Sequence, residues 1–158
     1  MKNLLMIGTI GCFSSILISC GEANTNTGTP VPAEKTSSGN PSYDPERGIG
    51  RFTKVELGEK LDALMAEKGN KIAAVKCLSC HKLTSEKLVG PGWKDVTSRN
   101  APEWIMNFIT NPDEMLNKDP KAQAQLEICL VRMPNQNLND DEARSLLEFM
   151  RQNDGVKK

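Results

Sequence analysis

Apolar residues along this chain fall into blocks with helical spacing, separated by polar, glycine-containing or proline-containing stretches. From about Asp62 to Cys80, the residues Leu61, Leu64, Met65, Ile72, Ala73, Ala74 and Val75 recur at three to four positions. Gly69-Asn70 interrupts the rhythm, either ending a first turn or allowing another helix to approach closely. Gly90-Pro91-Gly92 forbids helix and forces a turn. Ala101-Pro102-Glu103 opens a second helix, since proline is tolerated in a first turn, and Asn111-Pro112 stops it. Its residues Trp104, Ile105, Phe108 and Ile109 are spaced to face a core. Asp119-Pro120 starts a third helix running through Ala122, Leu126, Ile128 and Cys129 to about Leu130, and Met133-Pro134 breaks it. Asn139 caps a fourth, whose first turn holds Asp140, Asp141 and Glu142 near the positive end of the helix dipole. Leu138, Ala143, Leu146, Leu147, Phe149 and Met150 form its apolar stripe. No alternating strand pattern occurs, so the fold class is all-α.

The first fifty residues have another character. Lys2 precedes an apolar run over residues 4–18, short for a membrane span, which closes at Leu17-Ile18-Ser19-Cys20. This start resembles a bacterial lipoprotein signal peptide, in which small residues precede a cysteine that becomes the acylated first residue; Cys20 would then carry lipid and Cys12 be discarded. A plain signal peptide, or an uncleaved anchor helix with Cys20 incidental, is the alternative. Residues 21–50 are dominated by Thr, Asn, Ser, Gly and Pro and cannot bury enough surface to offset their ordering entropy. They read as a flexible tether with a root-mean-square reach of about 30 Å and a taut limit of about 100 Å. The expected organisation is a signal peptide over residues 1–19, a lipidated N-terminus and linker over 20–50, and a folded domain over 51–158. Tyr43 through Leu57 is open to two arrangements, wrapping the domain or trailing from it.

Charge changes this picture locally. The chain has 20 basic and 20 acidic residues, and removal of residues 1–19 deletes one lysine and no acid, so bulk charge gives no reason to expect nucleic-acid binding. Residues 68–99, however, hold seven basic groups against Glu86 and Asp95, whereas residues 103–148 hold nine acids against four bases. A positive collar of this kind can steer an acidic partner.

That collar surrounds the densest chemistry in the chain, Cys77-Leu78-Ser79-Cys80-His81. C-x-x-C-H reads as covalent attachment of a c-type haem: two thiols form thioethers to the vinyl groups, and the adjoining histidine binds iron. A redox-active dithiol and half of a zinc site are the competing readings. Zinc lacks partners, since Cys129 is the only other plausible thiolate and His81 the only histidine. A thioredoxin-like dithiol needs a βαβ context, and no strand runs flank residue 77. With one histidine, the second axial ligand of an iron is methionine, a weaker group or nothing. Met65, Met106 and Met150 sit at helical core spacing and read as packing residues. Met115, in a polar turn, is a secondary candidate, and Met133, in an irregular segment between Arg132 and Pro134, is the leading one.

On these residues the chain resembles a class I cytochrome c over roughly residues 65–152. The matching pattern is Gly69, Ala73 and Cys77 at four-residue intervals, the C-x-x-C-H motif, Gly90-Pro91, Met133-Pro134, and a closing helix with Leu146 and Phe149. The resemblance implies one covalent haem c bound through Cys77 and Cys80, with His81 and Met133 as axial ligands. It also implies that Pro91 lends its carbonyl to the His81 ring and that Phe149 packs on Gly69 where the first and last helices cross. Two departures stand out. Ala73 replaces an aromatic common in the family, leaving the haem or Trp93 to fill the crossing, and the segment from Pro112 to Met133 is long enough for an added helix. About 108 residues with few aromatics make a modest core, so the haem-free polypeptide is expected to fold poorly.

The functional expectation is a one-electron carrier and not an enzyme, since methionine ligation leaves no vacant site and stabilises ferrous iron. It would work between redox proteins in the bacterial cell envelope, anchored by lipid with its domain in the periplasm, as donor to a terminal oxidase or a reductase such as nitrous-oxide reductase. Nothing demands more than a monomer. The rival readings are a five-coordinate haem sensor or peroxidase-like enzyme, and a structural lipoprotein with free thiols. Cys129 is expected to be a small buried apolar group, or alternatively a regulatory thiol.

Overall fold

The computed structural model describes residues 43–158. Cys12, Cys20, the signal segment and nearly all of the tether lie outside the described residues. Six helices occur in the order α1 (Ala63–Lys76), α2 (Val96–Arg99), α3 (Pro102–Thr110), α4 (Pro112–Lys118), α5 (Pro120–Cys129) and α6 (Asp140–Asn153), with no strand among the described residues.

Local chemistry accounts for most helix starts. Asp62 caps α1, its carboxylate accepting the Met65 N–H at 2.9 Å. Proline occupies the first position of α3, α4 and α5, where its missing N–H leaves nothing unpaired. Asn139 and Glu142 cap α6 reciprocally, each side chain accepting from the other's backbone N–H, at 2.9 and 3.1 Å. Every predicted stripe residue of α6 is buried.

Helices α1 and α6 cross at Gly69. A Cβ there would lie 2.0 Å from the Ser145 carbonyl oxygen and 2.9 Å from the Phe149 Cβ, so only glycine permits this approach. Of the two readings of Gly69-Asn70, close approach is the one observed, and α1 continues through it. The helix ends at Lys76, four residues short of its expected limit, where the Cys77–Cys80 turn begins.

Three expectations are corrected. The segment after Pro112 is not a polar turn: it forms α4 and buries Met115 completely, with the Ile49 N–H donating to its sulfur at 3.1 Å. Met115 is a core residue covered by the upstream chain. Three side chains of the α1 pattern, Leu64, Ala74 and Val75, are exposed, as is Ile128 of α5. Both helices bury only one side of their circumference, α5 burying only Ala122 fully.

Residues 43–61 wrap the domain. The Asn107 amide binds the strap at three points, donating to the Arg47 and Phe52 carbonyls at 3.0 Å each and accepting the Phe52 N–H at 2.9 Å. Glu103 accepts the Val55 N–H, Arg151 donates to the Gly58 carbonyl, and Glu148 accepts the Asp62 N–H. Arg51 pairs with Asp140 at the surface. At its start, the Tyr43 hydroxyl donates to Asp119 at 2.7 Å, while the same carboxylate accepts the Trp104 indole N–H and caps α5 at Ala122. Burial and the hydrogen bond to this carboxylate raise the Tyr43 pKa well above its ordinary value, keeping the phenol protonated as a donor.

Candidate functional site

The C-x-x-C-H motif lies where α1 unwinds. The Cys77 carbonyl accepts both the Cys80 and the His81 N–H at 3.0 Å, folding the five residues into a tight turn below Lys76. The Cys80 carbonyl in turn accepts the Val89 and Gly90 N–H groups, at 3.2 and 2.9 Å, and the Lys82 carbonyl accepts that of Trp93. The Gly90-Pro91-Gly92 turn is thereby held beside the histidine.

Pro91 O lies 2.8 Å from His81 Nδ1. A carbonyl can only accept, so Nδ1 carries the proton and Nε2 presents a lone pair. Burial lowers the His81 pKa and so favours the neutral, ligating imidazole, outweighing the Pro91 hydrogen bond, which acts in the opposite direction. Gly90 gives the ring its room: a Cβ there would stand 2.3 Å from His81 Cε1. On the far side, the Trp93 ring centroid is 5.4 Å from that of His81 and 6.5 Å, edge-on, from that of Phe149. Trp93 thus fills the space beside the α1–α6 crossing.

Three cavities, of about 570, 500 and 740 Å³, meet at this point, and His81 and Met133 border all of them. The largest is walled by Cys77, Cys80, His81 and Met133 together, and otherwise mainly by apolar side chains such as Ile109, Leu138, Leu146 and Met150. Met150 borders two of the three, whereas Met65, Met106 and Met115 border none. Burial pushes the Cys77 thiol up to about 11. Among the described residues, Cys77, Cys80 and Cys129 are all free thiols, and no group of three or more His, Cys, Asp or Glu side chains could hold a metal ion directly. The zinc reading therefore has no ligand set there.

These walls suit a flat apolar ring carrying its own metal. Two thiols, one imidazole lone pair and one thioether face a single apolar space, a donor set matched to covalent haem. Asn100 Oδ1 is the one buried side-chain polar atom without a partner among the described residues. Asn100 borders the 500 Å³ cavity beside Arg99 and Trp93, at a polar corner of an otherwise apolar space. That oxygen can only accept, so a donor such as water at this corner of the cavity would pair with it.

Comparison with known proteins decides the family. The cytochrome c family profile matches residues 66–154. This chain is a member of the cytochrome c family. A solved cytochrome c from Rhodothermus marinus is 35% identical, with a TM-score of 0.67 over 70% of this chain and 97% of that one. The engineered Rhodothermus marinus cytochrome c Rma TDE is 34% identical at the same TM-score, over 70% and 98%. Its form bound to a carbene intermediate, 1-ethoxy-1-oxopropan-2-ylidene, is 35% identical with a TM-score of 0.64 over the same shares. No curated protein matches. The chain is thus a class I c-type cytochrome with an all-α fold, carrying one covalently bound haem c and serving as a monohaem electron carrier. Of the residue pattern that the sequence offered for this family, Cys77, Cys80, His81, Met133, Pro134 and Leu146 line the largest of these spaces, while Gly69 and Phe149 meet at the α1–α6 crossing.

Sequence reasoning missed Asn100 and Asn107, and read Asp119 only as a helix start and not as the partner of Tyr43 and Trp104. Each is a buried polar side chain whose role depends on partners contributed by distant segments or by the cavity. Asp119 alone left a signal, as an acid preceding proline at a helix start.

Proposed function

We propose that this cytochrome holds its haem through thioethers at Cys77 and Cys80, with His81 and Met133 as axial ligands and Pro91 orienting His81. The observation that carries this reading is the convergence of all three cavities on His81 and Met133, with both cysteines on the wall of the largest. Haem, when bound by these residues, would supply one-electron exchange. The protein's contribution is rigidity: Gly90 and Pro91 fix the imidazole from one side, and the Arg132-Met133-Pro134 segment presents sulfur without interrupting a helix.

The working context belongs to the same proposal. Cys20 carries lipid, the polar linker that follows it tethers the domain to a bacterial envelope membrane, and the domain works in the periplasm as a monomer. It passes electrons from a donor complex to an acceptor such as a terminal oxidase or a nitrous-oxide reductase. The lipobox-like Leu17-Ile18-Ser19-Cys20 and the polar tether support the anchor, and the seven basic groups of residues 68–99 support an acidic partner. Incorporation of labelled palmitate, abolished by Cys20→Ala, checks the anchor.

The carrier reading is tested by exposing the reduced holoprotein to carbon monoxide. An unchanged spectrum, with a potentiometric titration fitting a single one-electron step, is expected. Rapid carbon monoxide binding by the unmodified protein would favour the five-coordinate sensor or peroxidase-like alternative.

A further inference from the structure

Tyr43 is the only tyrosine of the chain and stands, half-buried, at the start of the strap. Its hydroxyl donates to Asp119 Oδ2 at 2.7 Å, and Oδ1 of the same carboxylate accepts the Trp104 indole N–H at 3.2 Å and the Ala122 N–H at 2.8 Å. Asp119 is completely buried and forms no ion pair among the described residues, so three donors and no cation hold its charge. One carboxylate thereby joins a phenol that solvent reaches to an indole in the core.

The inner end of this chain of groups leads to the haem space. Trp104 borders the 500 Å³ cavity together with His81 and Met133, and its ring stacks on Phe108, which borders the same cavity, with centroids 5.1 Å apart and planes 6° from parallel. The strap's other anchors are the side chains of Asn107, Glu103, Glu148 and Arg151, none of which yields an electron readily. The one anchor that can be oxidised is the one given a proton acceptor within hydrogen-bond reach. Burial and this hydrogen bond keep the phenol protonated, so its electron and proton leave together. Lys121 Nζ stands 5.1 Å from the Trp104 ring centroid, where its charge disfavours an indole radical cation. A positive hole therefore settles on Tyr43, and Trp104 serves as the bridge.

We propose that Tyr43, Asp119 and Trp104 form a relay through which an organic peroxyl radical outside the domain is reduced with an electron from the haem. The inference rests on the carrier reading and adds a second outlet for its electron. In the first step Tyr43 gives one electron to the peroxyl radical, its O–H bond breaks, and the proton crosses to Asp119 Oδ2. The peroxyl oxygen takes that electron and a proton from water and becomes a hydroperoxide. In the second step one electron passes from ferrous haem by way of Trp104 to the phenoxyl oxygen, the proton returns from Asp119, and the iron is left ferric. The sum converts one peroxyl radical, one ferrous haem and one proton into one hydroperoxide and one ferric haem. Ferrous iron parts with an electron more readily than a phenol does, so electrons run from the haem outward.

The test uses the full-length, haem-loaded protein and peroxyl radicals released by warming the initiator azobis(amidinopropane) in aerated buffer. In oxidised protein, freeze-quenched electron paramagnetic resonance should show a tyrosyl radical, assignable to one residue because the chain holds one tyrosine. Tyr43→Phe should abolish that signal, and Asp119→Asn, which keeps an acceptor but not the base, should weaken it. In reduced protein the tyrosyl signal should be lost while the haem oxidises, and Tyr43→Phe should slow that oxidation several-fold with an unchanged midpoint potential. Trp104→Phe should let the tyrosyl signal persist in reduced protein. A tryptophanyl radical or no radical in the oxidised parent, or equal rates of haem oxidation in reduced parent and Tyr43→Phe, would overturn the relay while leaving the carrier reading intact. A Tyr43→Phe protein whose only change is a lower melting temperature would make Tyr43 a latch of the strap, and the proposal fails. Absence of a haem spectrum from the full-length parent would overturn the carrier reading itself.

Discussion

Two residues with no chemistry of their own decide how His81 behaves. Gly90 leaves space for the ring, and the Pro91 carbonyl holds its Nδ1 proton, which makes the imidazole a stronger electron donor through Nε2. Gly90→Ala pushes a methyl group into Cε1 and loosens that hydrogen bond, so the midpoint potential is expected to rise. Spectroelectrochemical titration of the variant measures this, and an unchanged potential would show that the ring is held some other way. The motif and Pro91 were legible in the sequence because covalent attachment and turn formation are local requirements, expressed in neighbouring residues. Met115 was misread because its burial comes from Ile49 and the strap, 66 positions away, and not from the polar residues flanking it.

At the scale of elements, α1 and α6 carry the fold, and a buried ion cluster ties them to the strap. Glu148 is fully buried, accepts the Asp62 N–H at 2.9 Å, and pairs with Arg144 at 2.6 Å and Arg151 at 2.8 Å. Burial alone would raise its pKa, but the hydrogen bonds from Arg144, Asp62 and Arg151 together lower it. A carboxylate held below its unfolded value of about 4.3 adds stability that is present above that pH and lost as pH falls through the folded value. Denaturant titrations should therefore show a loss of stability below about pH 4 that is smaller in Glu148→Gln. Glu148→Ala should cost about 3–5 kcal/mol at pH 7, because Arg151 is left buried without its partner. A loss below 1 kcal/mol would mean that solvent reaches the cluster. Helices α1, α3, α5 and α6 were readable from spacing, caps and proline positions. Helix α4 was not, being seven residues long with three charged side chains among its first three and last positions, and neither was α2, which has four residues. The strap has no periodicity, since its backbone is satisfied by Asn107, Glu103, Glu148 and Arg151 from α3 and α6.

For the whole molecule, the core is organised around a space that the polypeptide alone leaves open between the motif turn, α3, α5 and α6. Haem c is therefore part of the hydrophobic core as well as the redox centre. A Cys77→Ala/Cys80→Ala chain, which cannot retain haem covalently, should lose cooperative thermal unfolding by circular dichroism; a sharp transition near that of the holoprotein would show that the helices close on themselves. The all-α class was legible because apolar residues recur at helical intervals, and the family through its resemblance at C-x-x-C-H, Gly90-Pro91 and Met133-Pro134. The cavity architecture was not, because it arises where segments distant in the sequence fail to fill a volume. Which methionine faces that volume is the point on which the electron-carrier account turns. Oxidised holoprotein should show the weak far-red charge-transfer band of iron bound to thioether sulfur. The band should vanish in Met133→Ala and persist in Met150→Ala, whereas a band that survives Met133→Ala, or is lost with Met150, would contradict the ligand set proposed here.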